Sequence, residues 1–269
     1  MSESKEGGRE PIFVIGFPKS GNTWLARLLA EITQSEIESS NSVDSADNSA
    51  MRRRGGHLIC KQHDSVKEFS LEDVPIVYII RDVRDVLVSA FFFNNKFVTE
   101  DLVKLDSNLR GVKRLLYRLY FWNQIRRMNR QWCGNELTVL RSWIHGKKNT
   151  VGSWSEHVES WVKDSRVIVV KYEDLLCDTA GELKKILGFL EIDAGDGILE
   201  EAISNQSFKK KKSKFMGTGD SENVKFLRSG KQGGWREFLS PDMAKKIEKT
   251  NAEVMRNFDY KLKYYKGAK

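Results

Sequence analysis

The sequence predicts an α/β fold, in which a central parallel sheet is covered by helices on both faces. Short apolar runs of strand length alternate along the chain with stretches of helical periodicity, which is the pattern of repeated βα units. The first run, residues 12–15, has the β-branched content of a strand buried on both faces. A glycine turn and a helix start follow it directly, which is the geometry of an anion-binding loop.

The remaining elements follow from the same patterns. The first helix is predicted over residues 21–33, where apolar residues recur on one face. Residues 34–56 are rich in Ser, Asn and Asp and then basic, which predicts a mobile loop. Three further strands are expected at residues 57–61, 75–81 and 166–172, with helices from about residue 83 and over residues 181–190.

Composition bounds the class of protein. A chain of 269 residues can form a single α/β domain, and we predict one domain over residues 1–269 with a flexible tail at residues 1–10. The hydrophobic fraction of 40% and the charged fraction of 30% are typical of soluble globular proteins. The net charge of +8 indicates an anionic partner, but the basic residues are spread along the whole chain. Charge alone therefore does not decide the partner. The basic side of residues 97–151 and the lysine run at 209–212 are more typical of solvated surfaces, so we predict no nucleic-acid partner.

The cysteines indicate a reducing compartment. Cys60, Cys133 and Cys177 are odd in number and contain no Cys-x-x-Cys pair, so neither a disulfide framework nor a zinc site is indicated. No other cluster of metal-ligand residues is evident, and no metal is predicted. The apolar runs are far shorter than the roughly 20 residues that span a bilayer, and the polar start of the chain lacks a signal peptide. These observations predict a cytoplasmic protein without a membrane span.

The loop after the first strand has the spacing of a P-loop with its lysine displaced. Gly16, Gly21 and Thr23 match the two glycines and the hydroxyl of that motif. Asn22 stands where a nucleoside triphosphatase needs lysine, and the lysine is at Lys19, inside the turn. The loop is therefore predicted to bind an anionic group other than a triphosphate.

Two further patterns place chemistry at strand ends. Lys61 and His63 are two residues apart on an extended chain, so both would point to the crevice where open α/β sheets bind ligands. A surface strand end is the alternative. Arg81 comes where the third strand gives way to a helix, beside free N–H groups, and Ser89 follows eight positions later. A helix-start ion pair of Arg81 with Asp82 or Asp85 is the alternative there.

The segment from Pro18 to Trp24 resembles the 5′-phosphosulfate loop of the cytosolic-type sulfotransferases. Those enzymes use 3′-phosphoadenosine 5′-phosphosulfate (PAPS) as sulfuryl donor and release 3′-phosphoadenosine 5′-phosphate. The resemblance implies a P-loop-like fold and transfer to a hydroxyl or amine of a small molecule. It also implies that the following loop residues bind the donor: Lys19, Ser20, Gly21, Asn22, Thr23 and Trp24.

The same resemblance assigns roles outside the loop. By the family pattern His63 is the general base, while Lys61, Lys19 and the N–H groups of residues 20–24 neutralise developing charge. The resemblance implies a 3′-phosphate site made by these residues: Arg81, Ser89, Arg228 and Gly230. Ser229 and Gly234 depart from the family pattern, and the loss of a lysine at Ser229 weakens one expected phosphate contact.

Aromatic residues are expected around the adenine. The family pattern places Trp24, Tyr172 and Phe208 there, for which flat rings are suited, with ordinary core packing as the alternative. The motif Gly152-Ser153-Trp154 with His157 also resembles the family but indicates no chemistry by itself.

The acceptor side of the protein is the part that the sequence specifies least. Residues 97–151 show helical spacing with a basic side, which predicts a helical lid over the acceptor pocket. The acceptor identity is not encoded in a readable motif, and the family's dimer motif is poorly matched, so we expect a monomer or weak homodimer. A nucleotide-dependent kinase and a non-catalytic adenosine-bisphosphate-binding module are the rival functions.

Overall fold

The computed structural model describes residues 10–38, 56–69, 71, 73–94, 152–207, 210–211, 213 and 230–267. The strands are β1 (Glu10–Ile15), β2 (Glu36–Glu38), β3 (His57–Gln62), β4 (Ile76–Ile80) and β5 (Val167–Lys171). The helices are α1 (Asn22–Ile32), α2 (Val83–Asn94), α3 (Trp154–Trp161), α4 (Tyr172–Cys177), α5 (Thr179–Phe189), α6 (Asp196–Asn205), α7 (Pro241–Thr250) and α8 (Ala252–Asn257). The predictions for Phe208, Arg228, Ser229 and the lid at 97–151 lie outside the described residues, as do all but Glu10 of the predicted tail.

The described strands form one parallel sheet in the order β2-β3-β1-β4-β5. The predicted parallel α/β fold is therefore confirmed. After β1, the chain forms β2 and β3 on one side of β1. It then crosses to the other side of β1, where it forms β4 and β5. This change of direction opens a crevice beyond the carboxyl ends of β1 and β4, which is where open α/β sheets bind ligands.

Alternation along the central strand places helices on both faces of the sheet. Ile12 and Val14 of β1 point into a buried cluster with α1, α5 and α6. Phe13 and Ile15 point the other way, into a cluster that contains residues of α3 and α8. Successive side chains of a strand alternate between faces, so this near-continuous apolar run serves both cores at once.

Two predictions of local structure are corrected. The loop predicted over residues 34–56 is wrong at Glu36–Glu38, which forms the edge strand β2 and pairs with Leu58 to Cys60 of β3. Its partner lies about twenty residues further along the sequence, so the local composition carried no signal for it. The helix expected at 181–190 begins earlier, at Thr179, because the Asp178 carboxylate caps it by accepting from the Gly181 N–H at 2.9 Å. Within the described residues, no helix has the length and apolar character to cross a membrane.

Candidate active site at the carboxyl end of the sheet

The loop between β1 and α1 is held in one conformation by two left-handed residues. Lys19 has a φ of 71° and Gly21 a φ of 114°. A Cβ on Gly21 would lie 2.7 Å from the Tyr172 ring, and a Cβ on Gly16 would lie 2.4 Å from the Ile79 carbonyl oxygen. Both glycines are thus required by close packing, and Lys19 carries the kind of backbone strain that concentrates at functional sites.

The loop presents fewer backbone donors than the sequence suggested. The Ser20 N–H donates to the Phe17 carbonyl at 3.1 Å, and the Trp24 N–H donates to the Gly21 carbonyl at 2.9 Å. The N–H groups that helix geometry leaves open at the start of α1 are therefore those of Gly21, Asn22 and Thr23. Of the five N–H groups of residues 20–24 that are expected to neutralise charge, those of Ser20 and Trp24 thus already donate within the protein.

His63 lies immediately after β3 and is oriented by the first residue of the loop. Its Nδ1 is 2.8 Å from the Gly16 carbonyl oxygen. A carbonyl can only accept, so Nδ1 carries the proton of the neutral ring and Nε2 carries the lone pair. The imidazole is thereby set in the tautomer that a general base requires.

Asn22 takes the place of the P-loop lysine for a structural reason. Its amide Nδ2 donates to the carbonyl oxygens of Gly16 at 2.9 Å and Gln62 at 3.3 Å, and it lies 3.3 Å from His63 Nδ1. Asn22 is 3% exposed. Its side chain thus ties the ends of β1 and β3 together beside the base, while its backbone N–H remains a donor for the anion.

Lys19, Lys61 and Arg81 bring a concentration of positive charge to this edge of the sheet. Burial and then the charges of Arg81 and Lys61 lower the pKa of Lys19 to about 8. Burial and the nearby Arg27 also lower the pKa of Lys61. Cations crowded in a partly desolvated place are stabilised by a bound anion.

The same environment keeps His63 neutral. Burial lowers its pKa to about 4, opposed by the Gly16 hydrogen bond and reinforced by Lys61 and Lys19. A histidine with this pKa is unprotonated near neutral pH, so its Nε2 lone pair is available to accept a proton.

Arg81 follows β4, and its guanidinium is hydrogen-bonded to backbone carbonyl oxygens. Its guanidinium makes two long bonds, to the carbonyl oxygens of Lys19 at 3.3 Å and Lys231 at 3.4 Å. Arg81 is 7% exposed, and its Nε has no hydrogen-bond partner among the described residues. It also lies 4.1 Å above the centre of the Tyr172 ring, which fixes its plane.

The carboxylates of Asp82 and Asp85 make their hydrogen bonds to groups other than Arg81, although the Arg81 charge is close enough to oppose the rise that burial causes in the pKa of Asp85. Asp82 binds the guanidinium of Arg84, with distances of 2.7 to 3.2 Å. Asp85 accepts the backbone N–H groups of Gly233 at 2.6 Å and Trp235 at 2.8 Å. The helix-start ion pair considered for Arg81 is therefore formed by Arg84 instead, and α2 docks the glycine-containing segment at 230–236 beside Arg81.

The structure also places the predicted aromatic residues Trp24 and Tyr172, and the predicted phosphate residues Ser89 and Gly230. Trp24 and Tyr172 meet edge to face, with ring centroids 5.8 Å apart, next to the guanidinium of Arg81. Ser89 lies half-buried on α2, and Gly230 has a φ of 58° at the start of its loop. Ser20 is fully buried, and its Oγ has no hydrogen-bond partner in the described part of the chain.

Some residues of the site were not given a role by the sequence. Asp85 docks the loop at 230–236, and Glu173 accepts the Asp82 N–H at 3.0 Å and the Tyr260 hydroxyl at 2.9 Å. The His157 Nε2 lies 3.2 Å from the carbonyl oxygen of His63. The sequence analysis singled out Arg81, Tyr172 and the motif Gly152 to His157, but only the structure shows which polar groups pair across these segments. Among the described residues, no group of His, Cys, Asp and Glu is arranged to hold a metal ion.

Comparison with known protein families identifies the chain. The model of the sulfotransferase domain matches residues 9–259. The chain belongs to the sulfotransferase domain family. Sulfotransferase 2A1 from Rattus norvegicus is 25% identical over 93% of this chain and 86% of its own length. The amine sulfotransferase from Oryctolagus cuniculus is 23% identical over 94% of this chain and 83% of its own length.

Solved structures agree with the fold. The crystal structure of mouse sulfotransferase SULT7A1 complexed with PAP matches with a TM-score of 0.63 and 23% identity, over 93% of this chain and 85% of that one. The predicted family, fold and reaction class, sulfuryl transfer, are thus confirmed, and the rival kinase and binding-module functions are not supported.

Proposed function

We propose that this sulfotransferase moves a sulfuryl group from PAPS to a hydroxyl or amine of a small molecule, with His63 as general base. The observation that carries the proposal is the hydrogen bond from His63 Nδ1–H to the Gly16 carbonyl, 2.8 Å long. It couples the base to the first residue of the donor loop, with Nε2 free to accept a proton. Lys19 and Lys61 lie close enough to lower the pKa of His63.

The residues present fit a donor with two anionic groups. At one end, the fully buried Ser20 Oγ lacks a partner among the described residues and stands beside the N–H groups of Gly21, Asn22 and Thr23. At the other end, Arg81 is a buried cation for which the described residues supply no ion pair. Buried polar groups left without partners in this way indicate a ligand that completes them. We assign the first end to the 5′-phosphosulfate and the second to the 3′-phosphate.

The proposed mechanism relies on positioning and electrostatics. When bound, PAPS would supply the sulfuryl group, which would pass from the 5′-phosphate oxygen to the acceptor oxygen or nitrogen. His63 Nε2 takes the proton that the acceptor releases. Lys19, Lys61 and the three open N–H groups of the loop stabilise the charge that develops on the transferring and leaving oxygens.

The remaining assignments of the proposal rest on the sequence pattern and neighbouring contacts. Tyr172 and Trp24 form an aromatic edge beside Arg81, which suits an adenine ring. The amine sulfotransferase among the relatives supports keeping amines beside hydroxyl acceptors. The described cysteines, Cys60 and Cys177, are free thiols, which supports the predicted cytoplasmic location. The monomer or weak homodimer, the lid at 97–151 and the roles of Ser89, Phe208, Arg228 and Gly230 stay predictions.

Two measurements test the proposal. Thermal-shift titration should show strong stabilisation by 3′-phosphoadenosine 5′-phosphate and little by ATP with magnesium. Sulfur-labelled PAPS should transfer its label to at least one compound in a panel of alcohols, phenols and amines. Stabilisation by ATP with magnesium alone would favour a nucleotide-dependent kinase. Tight binding of the bisphosphate with no labelled product across the panel would favour a binding module.

A further inference from the structure

His157 is a buried histidine on α3 whose two nitrogens are both engaged. It is 1% exposed. Its Nε2 lies 3.2 Å from the His63 carbonyl oxygen and 3.1 Å from the Asp64 carbonyl oxygen, and its Nδ1 lies 2.8 Å from the Tyr78 hydroxyl. Because carbonyl oxygens only accept, Nε2 carries the proton and Nδ1 accepts from Tyr78. The tautomer is therefore the reverse of that in His63.

These contacts hold the chain where it leaves the sheet. The strand β3 ends at Gln62, so the carbonyl oxygens of His63 and Asp64 lie beyond the last ladder position. They are held by side chains of α3 instead, since the Trp161 Nε1–H also donates to the Asp64 carbonyl at 3.0 Å. The backbone that carries the proposed general base is thus held by two side chains of α3.

The hydrogen bonds form a closed circuit around the base. The Phe17 N–H binds the Tyr78 hydroxyl, and that hydroxyl donates to His157. His157 donates to the backbone of His63, and the His63 side chain donates to the carbonyl of Gly16, the residue next to Phe17. The His63 side chain thus binds the Gly16 carbonyl directly. The His63 backbone is linked to the next N–H group, that of Phe17, through His157 and Tyr78. Both therefore depend on the peptide group between Gly16 and Phe17.

The aromatic surroundings fix the plane of the His157 ring. Phe17 meets it edge to face with centroids 5.7 Å apart, and the Tyr78 ring lies 5.7 Å away at a tilt of 32°. A side chain of similar size without polar atoms could fill this volume, but it would remove the His157 donor from the His63 carbonyl oxygen and the acceptor from the Tyr78 hydroxyl proton, whereas the Asp64 carbonyl would keep Trp161. The imidazole thus supplies donors and an acceptor that packing alone does not require.

We propose that His157 is a positioning residue for catalysis, which aims His63 at the reacting proton through the His63 backbone without touching substrate. The inference rests on the proposed role of His63 as general base. A displacement of about 1 Å in a catalytic group can lower the rate by about 100-fold, so loss of the His157 contacts should lower kcat while donor binding persists.

The test compares three variants that change one helix. His157→Phe keeps a ring and removes both polar contacts, His157→Gln restores an N–H donor, and Val158→Ala is a matched core control on the same helix, at a residue that is fully buried. We expect His157→Phe to lower kcat by about 100-fold with the bisphosphate Kd within about twofold of wild type, and His157→Gln to recover at least about tenfold of that loss. Val158→Ala should reduce stability and leave kcat within about twofold.

Several outcomes would overturn the inference. A wild-type kcat in His157→Phe would do so, as would equal losses of kcat in the Phe and Gln variants, because a purely structural role does not distinguish them. If His157→Phe fails to fold, Tyr78→Phe serves instead, because it removes the hydroxyl that orients the His157 ring. We expect Tyr78→Phe to lower kcat several-fold. An unchanged kcat in Tyr78→Phe would also overturn the inference. If the wild-type protein transfers no sulfur label from PAPS, the proposed function fails, and this result does not bear on the role of His157. In that case the exchange rate of the His63 Nδ1 proton by NMR, expected to rise in His157→Phe, still decides the role of His157.

Discussion

The imidazole of His63 owes its chemical competence to a single carbonyl oxygen. Gly16 accepts from Nδ1, so the ring nitrogen that faces away from this bond is the one that can take a proton. Asn22 adds a donor to the same carbonyl, and in doing so replaces the lysine of a triphosphate-binding loop with a residue that holds two strand ends together. The substitution that excludes a nucleoside triphosphatase therefore also builds the support of the base.

Removal of the base or of the loop lysine should reduce turnover strongly. We expect His63→Ala and Lys19→Ala each to lower kcat by at least about 100-fold, since each loses a proton acceptor or a preorganised charge. Steady-state assays with PAPS measure this, with the fold checked by circular dichroism. Lys185→Ala changes an exposed lysine on α5 and should leave kcat unaltered. Near-wild-type turnover in folded His63→Ala would refute the assigned role.

The pH dependence of kcat/KM for the donor should reflect the same two residues in the free enzyme. The reaction needs His63 neutral, so the rate should fall only as pH drops toward its lowered pKa of about 4. It also needs Lys19 protonated, so the rate should decline as pH rises through about 8. An acid limb near 6.5, the ordinary histidine value, would contradict the environment described for His63.

The sequence could specify these residues only as far as local rules reach. The end of an apolar run places Lys61 and His63 at the end of β3 and Arg81 directly after β4, and both positions could be read locally. The hydrogen bond that orients His63 could not, because its partner Gly16 is 47 positions away. The binding partners of Arg84 could not be predicted from the neighbouring sequence, because its second carboxylate partner, Glu248, is 164 positions away. The same limit applies to Asn22, whose acceptor in Gln62 depends on the pairing of β1 with β3.

At the scale of elements, α2 organises the end of the crevice that we assign to the 3′-phosphate. Glu173 of α4 lies at its N-terminus, where the Glu173 carboxylate accepts the Asp82 N–H. Its first turn supplies Asp85, which docks the segment at 230–236. One helix thus aligns Arg81 with a loop that arrives from a distant part of the sequence. The short edge strand β2 was missed for a related reason, because only its pairing with β3 defines it.

A change at Asp85 should loosen this loop and weaken donor binding. Asp85→Asn replaces one of two acceptors with an amide donor, which faces a backbone N–H of Gly233 or Trp235. A buried donor left unpaired costs about 1–3 kcal/mol, so we expect the bisphosphate Kd to rise about tenfold or more while kcat at saturating PAPS changes little. Titration calorimetry measures the affinity. Asp242→Asn, in the exposed first turn of α7, is the matched control, and an Asp85→Asn protein with wild-type affinity would show that the docking contacts do not support the site.

At the scale of the whole molecule, the carboxyl-terminal segment is fastened to the same helix. Arg84 binds Asp82 and Glu248, and it donates to the Lys261 carbonyl at 3.1 Å. Glu248 in turn accepts the N–H groups of three successive residues, Lys263, Tyr264 and Tyr265. A buried network of this kind rigidifies its surroundings, so the carboxyl-terminal segment supports the site through α2. It also contacts the site directly, through Tyr260 on Glu173 and Tyr264 on Trp235.

The two buried histidines should make the stability of the whole molecule depend on acid. The pKa values of His63 and His157 are both lowered to about 4, mainly by burial, whereas the unfolded chain has the ordinary value of about 6.5. The unfolded state therefore binds protons first, so each group's contribution is fully present above pH 6.5 and is lost as pH falls through 4. For His157 the shift corresponds to about 3 kcal/mol of unfolding free energy. Urea unfolding at pH 7, 5 and 4 should show a shallower loss in His157→Gln than in wild type. Val158→Ala should lower stability equally at each pH, and an unchanged slope in His157→Gln would show that this imidazole does not titrate with unfolding.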